Sequence, residues 1–310
     1  MVKELLLGDN AFIGVNHLSQ EKARAEAKET TIENKARVIE AAVEGGATGF
    51  TFSTHERNLE LLSYMNDHKR YVLNKLNYYV LVPHAQMYVR KANTQGTPSL
   101  ISSVLKDTTH VKKSSIFDVL ATLITLQPER FAELFIEAEL APYLKILPKP
   151  NVKAVLLHEV FSELIIAHGL FDMASGLGKK IEEKLKPVCF GLETRNFGYL
   201  YDFLLKFEYY PKYLMTPFNS LGYQMAPTKE SVEKAVAALN GKSKVIAINM
   251  LASGALSLDE SIDYVKQYQD SLYAVCSSST KPERILSNFT KLSQAFLQNG
   301  TTELCIQKIA

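Results

Sequence analysis

Eight short apolar runs, each followed by a longer amphipathic stretch, repeat along the chain between residues 4 and 297. No other feature restricts the fold so strongly. Runs rich in Val, Ile, Leu and Phe read as buried strands, and the stretches between them carry helical periodicity. Alternating strand and helix place parallel strands side by side under a cover of helices. Eight such units, with no glycine-rich GxGxxG after the first strand, favour a closed (β/α)8 TIM barrel over an open doubly wound sheet.

The first strand is expected within 4–15, and the others at 48–52, 78–82, 152–157, 187–192, 213–216, 244–248 and 272–276. Helices are expected over 32–44, 161–174, 197–207, 259–267 and 281–297, with two more starting near Asn58 and after Thr228. Thr31 and Thr228 have the hydroxyl an N-cap requires, and Gly45-Gly46 supplies a stop. Between the third and fourth strands an insertion of about 92–150 reads as helical over 99–143, with breaks at 108–113 and Pro128. It is expected to overhang the barrel mouth or to form an oligomer contact. No linker interrupts 1–310, so one domain is expected.

With 310 residues, 46% of them hydrophobic, the chain has ample material for one core. A net charge of +2 argues against nucleic acid or a membrane surface as partner. No stretch reaches the roughly 18 apolar residues of a spanning helix. The N-terminal MVKELLLGDN is too short in its apolar run for a signal peptide. Cys189, Cys276 and Cys305 are scattered and odd in number, which is no disulfide framework. A cytoplasmic protein acting on a small molecule is expected, and a homo-oligomer is compatible with the insertion.

Active sites of such barrels form where the strands end. Asn16 and His17 follow the first strand, and Ser53, His55 and Glu56 the second. His84 and Gln86 follow the third, His158 and Glu159 the fourth, and Glu193 and Arg195 the fifth. Asn219, Asn249 and Ser277 to Ser279 close the circuit. Four of the seven histidines, His17, His55, His84 and His158, thus stand at four consecutive strand ends. Imidazoles converging with a carboxylate such as Glu193 or Glu159 suit Zn²⁺ or Fe²⁺ with an open position for water or a carbonyl oxygen. The same residues also suit general acids, substrate hydrogen bonding or satisfied loop positions.

The carboxyl half resembles the aldo-keto reductase superfamily. The resemblance lies in KPVCFGLETRNFGYLYDFL, YLMTPFNSL, AINMLASGAL and AVCSSSTKPERILSNF. It implies that Phe218-Asn219 stands where an aromatic stacks on nicotinamide. It likewise implies that Ser278, Ser279, Arg284 and Asn288 hold the adenosine phosphate of NADP(H). Arg284 and Asn288 are four apart on one helix face, and a phosphate at that helix start meets a guanidinium, free N–H groups and the dipole together. The amino half departs from the pattern. The family's Asp, Tyr, Lys and His reduce here to His158, with Ser53 and His84 where Asp and Lys are expected.

Three functions are compatible with this reading. One is an enzyme of hydrolase or lyase type with metal held by His17, His55, His84 and His158. Another is an NADP(H)-dependent oxidoreductase with His84 or His55 as an unusual proton donor, and the third is a barrel that binds a ligand or partner without catalysis. In the enzymatic readings His158, His84, His55 and Glu193 are the candidate catalytic groups.

Overall fold

The computed structural model of the protein describes residues 1–13, 31–83 and 128–297. Its eight strands are β1 (Glu4–Gly8), β2 (Gly49–Ser53), β3 (Asn77–Val82), β4 (Val152–Leu157), β5 (Cys189–Glu193), β6 (Tyr213–Pro217), β7 (Lys244–Ile248) and β8 (Leu272–Ser277). They close into a barrel in chain order, all neighbours parallel, with β8 returning to β1 from Glu4↔Ala274 to Leu7↔Ser277. Strand periodicity of two divides the buried residues into two sets. Leu6, Tyr79, Leu156, Met215, Ile246 and Cys276 fill the inside of the barrel. Phe50, Phe52, Val80, Val155 and Phe190 point outward and are sealed by helices. On β5, a Cβ at Gly191 would lie 2.5 Å from the Tyr213 carbonyl oxygen, so only glycine lets β5 and β6 approach as they do.

The described helices are α1 (Asn10–Ile13), α2 (Ile32–Glu44), α3 (Glu56–His68), α4 (Arg70–Leu73), α5 (Pro128–Ile146), α6 (Glu159–His168), α7 (Phe171–Lys184), α8 (Phe197–Phe207), α9 (Lys229–Ala238), α10 (Leu258–Lys266) and α11 (Pro282–Phe296). The expected caps form: the Thr31 hydroxyl accepts from Asn34 N, and Thr228 and Ser231 make a reciprocal capping box. None of the described helices is long and apolar enough to cross a membrane.

The first strand, expected within 4–15, is β1 and ends at Gly8, where the apolar run gives way to Asp9. The single helix expected over 161–174 is two. Gly169, at φ 67°, takes the left-handed conformation that ends α6, and α7 restarts at Phe171. The described helix of the insertion, α5, belongs to the outer ring and packs against α3 and α7 through Ile136, Leu140 and Tyr143. The rest of that insertion, through residue 127, lies outside the described residues.

One local conformation gives a direct stability test. Glu208 ends α8 at φ 50°, ψ 28°, exposed and in the left-handed region that costs a residue with a Cβ. Glu208→Gly should raise stability by about 0.5–1 kcal/mol, read as a higher urea midpoint at unchanged slope.

Candidate active site

Helices of the ring run against the strands, so helix starts and strand ends share one face of the barrel. The residue that organises this face is Asp9, which the sequence analysis passed over. It is 4% exposed, immediately after β1. Its Oδ2 accepts hydrogen bonds from Ser53 N at 2.9 Å, Ser53 Oγ at 3.0 Å and Asn58 Nδ2 at 2.6 Å. Burial pushes its carboxyl above the usual range, and these hydrogen bonds pull the other way. Ser53 therefore does not leave the end of β2 without a carboxylate: one arrives from β1. The signal was present in LLLGDN, where a buried run ends directly on an acid.

Glu193 ends β5 in register with the inward Met215. Its Oε2 accepts from Glu159 N at 3.2 Å, and its side chain is otherwise enclosed. Burial raises its pKa to about 7, the Glu159 amide and Arg195 lower it, and the negative charge of Asp9 raises it again. A carboxyl of this kind holds a proton close to neutral pH.

His158 caps α6: its Nδ1 accepts from Val160 N at 3.4 Å, which assigns any ring proton of the neutral form to Nε2. Burial lowers its pKa, favouring that neutral form. His55 caps α3 in the same way, with Nδ1 accepting from Arg57 N at 3.1 Å. Its carbonyl oxygen accepts from the Tyr143 hydroxyl of α5 at 2.9 Å. The two described members of the four candidate histidines thus direct Nδ1 to their own helices. His17 and His84 lie outside the described residues, and among the described residues no group of three or more His, Cys, Asp or Glu could hold a metal ion.

The β5–α8 loop is fixed by two carboxylates of α6. Glu163 accepts from Thr194 Oγ1 at 2.7 Å, Arg195 N at 3.0 Å, Asn196 N at 3.3 Å and Asn196 Nδ2. Glu159 takes the Arg195 guanidinium in a fork, Nε at 2.7 Å and Nη2 at 2.8 Å. Burial and the neighbouring Glu193 raise the Glu159 carboxyl.

Ser278, Ser279, Arg284 and Asn288, expected to hold a cofactor, lie on the turn from β8 into α11 and in the first two turns of that helix. Ser278 Oγ donates to Gly8 O at 2.9 Å, Ser279 Oγ accepts from Lys281 N, and Asn288 Nδ2 reaches Ser277 Oγ at 3.4 Å. No side chain caps α11, so its first N–H groups are available, and Arg284 is exposed in its first turn. An anion fits there. Phe218, by contrast, is 0% exposed and packs outward on Tyr264, with ring centroids 5.2 Å apart, and edge-on to Tyr268. Its faces are occupied, so it cannot lie under a nicotinamide. Asn219 is likewise buried and spent on structure: it bonds Tyr223 N and O and the Asn249 carbonyl, tying the loops after β6 and β7. Alternation misleads here because Phe218 continues the outward set of β6 beyond its last paired residue.

No protein-family model matches the chain, and no curated protein matches it in sequence. Solved structures match it in fold. A protein of Pseudomonas aeruginosa assigned to the aldo-keto reductases superposes with a TM-score of 0.55 at 15% identity, covering 95% of this chain and 91% of that one. The glycerol dehydrogenase of Gluconobacter oxydans gives 0.52 at 12% identity, with coverages of 93% and 86%. The holo form of an aldo-keto reductase from Bacillus halodurans gives 0.52 at 11% identity, with coverages of 95% and 86%. The chain shares the closed (β/α)8-barrel fold of these proteins. At these identities the likeness is one of fold.

Proposed function

We propose that this protein is an NADP(H)-dependent oxidoreductase acting on carbonyl compounds, with Glu193 as its proton donor. One observation carries the reading: a carboxyl buried at the carboxyl end of the barrel, with a pKa near 7. Reduction of a carbonyl needs an acid at the oxygen as hydride reaches carbon, and the Tyr-Lys pair usual in this superfamily is not recognisable in the sequence. An acid that titrates near the working pH is well suited to that transfer. The nicotinamide, when bound, supplies the hydride.

The chain's own groups divide the remaining work. Glu193 donates its proton to the developing alkoxide. His158, neutral and with its remaining proton on Nε2, donates a hydrogen bond to the same oxygen in this reading. Asp9, which accepts from three donors, raises the proton affinity of Glu193 to the extent that it carries charge. A metal ion at the four histidines has no support among the described residues.

Cofactor binding is tested at Arg284. A guanidinium–phosphate contact contributes on the order of 1.5–3 kcal/mol. Arg284→Ala should therefore weaken NADPH binding roughly ten- to a hundred-fold in a fluorescence titration. Wild-type protein that binds no NADPH at millimolar concentration would end the oxidoreductase reading.

A further inference from the structure

The ion pair between Arg195 and Glu159 uses only one edge of the guanidinium. Arginine offers five N–H donors in a rigid plane. Nε and Nη2 are taken by the two oxygens of Glu159. Nη1 has no hydrogen-bond partner among the described residues, and the side chain is 35% exposed.

The backbone beneath it is unusually well fixed. One carboxylate, Glu163, gathers four donors from three consecutive residues, Thr194, Arg195 and Asn196. An ion pair that served only to close the loop would not require this second anchor. The arrangement positions the guanidinium plane in advance, with one edge tied and the other presented.

Its location gives the presented edge a use. Arg195 lies two residues beyond Glu193, at the barrel mouth. The guanidinium is near enough to Glu193, Glu159 and His158 to influence the proton affinity of each. Glu159 links the two groups, since its carboxylate holds Arg195 while its N–H donates to Glu193 Oε2, so an anion bound at Nη1 is one residue removed from the acid. Planar carboxylate is the anion that matches a guanidinium edge.

We propose that the site is selective for carbonyl substrates that carry a carboxylate group, and that the free edge of Arg195 binds that group. Glu159 and Glu163 are the positioning residues for Arg195. The inference rests on the reading of this site as one that reduces carbonyls, and it adds the substrate class.

The test compares 2-oxobutanoate with butanone, which has the same carbon chain and ketone but no charge. Dissociation constants are measured by ligand-observed NMR, with and without NADPH. Wild-type protein is expected to bind the oxo acid at least about tenfold more tightly. Arg195→Met should abolish the preference by weakening binding of the oxo acid. Because the loop is built around this residue, Arg195→Lys is the second variant. It retains a charge but not the two-edged fork, and should lose most of the preference with an unchanged melting temperature. Equal affinity for the two ligands in wild type, or a preference that survives both substitutions, overturns the proposal. NADPH binding with no preference for the oxo acid would remove the Arg195 site and leave the oxidoreductase reading intact. A preference without NADPH binding would do the reverse.

Discussion

Glu193→Gln should lower carbonyl reduction by about 10²- to 10⁴-fold while NADPH binding stays within a few-fold of wild type. Gln matches the shape and retains hydrogen bonding but has no proton to give. The wild-type rate should be high below pH 7 and fall as pH rises through about 7, because the protonated carboxyl is the active form. That limb should be missing from the residual activity of the variant. Stability should fall with rising pH as activity does, beginning at lower pH. The folded-state pKa of about 7 lies above the ordinary 4.5, so the fold tolerates the neutral form and resists the charged one. The penalty is absent below about pH 4.5, grows as pH rises, and is complete above about 7, where the interval corresponds to roughly 3 kcal/mol. Glu193→Gln should accordingly be more stable than wild type at pH 8 and equal to it at pH 4, by urea denaturation. A variant as active as wild type would remove Glu193 from the mechanism.

Asp9→Ala should cost about 2–5 kcal/mol, the largest destabilisation expected from any single substitution at the site. It leaves the Ser53 amide and hydroxyl buried without their acceptor and strips Asn58 Nδ2 of its shorter partner. Asn58 Oδ1 is already buried without a hydrogen bond, so the cluster has little reserve. Asp9→Asn retains one acceptor oxygen and should cost about half as much. The same change should move the Glu193 limb to lower pH, since the charge that helps hold the proton there is gone. Loss of stability with an unmoved limb would make Asp9 a structural anchor only. Denaturant midpoints and the pH–rate profile of the Asn variant separate the two outcomes.

The sequence by itself determined the barrel. Eight apolar runs could be read because burial on both faces makes parallel strands continuous in hydrophobicity. Several boundaries followed for local reasons: Thr31 and Thr228 cap helices through bonds to residues three positions away, and 152–157 and 244–248 are strands with the bounds expected. Glu193 and Arg195 at a strand end were visible for the same reason, because a strand end is a property of the chain's own pattern.

Only the tertiary structure decided what those groups do. Asp9 matters through Ser53 and Asn58, which lie 44 and 49 residues away, and no spacing rule links them. Phe218 has the right neighbours in sequence for a stacking role, yet the side of the barrel it faces is fixed by where β6 stops and by Tyr264 on α10. Likewise nothing in an isolated glutamate indicates a pKa near 7; that comes from enclosure by other strands and from the sum of nearby charges. Helix and strand patterns are short-range and survive in one dimension. Burial and electrostatic environment are set by contacts between distant segments, so they exist only once the barrel has closed.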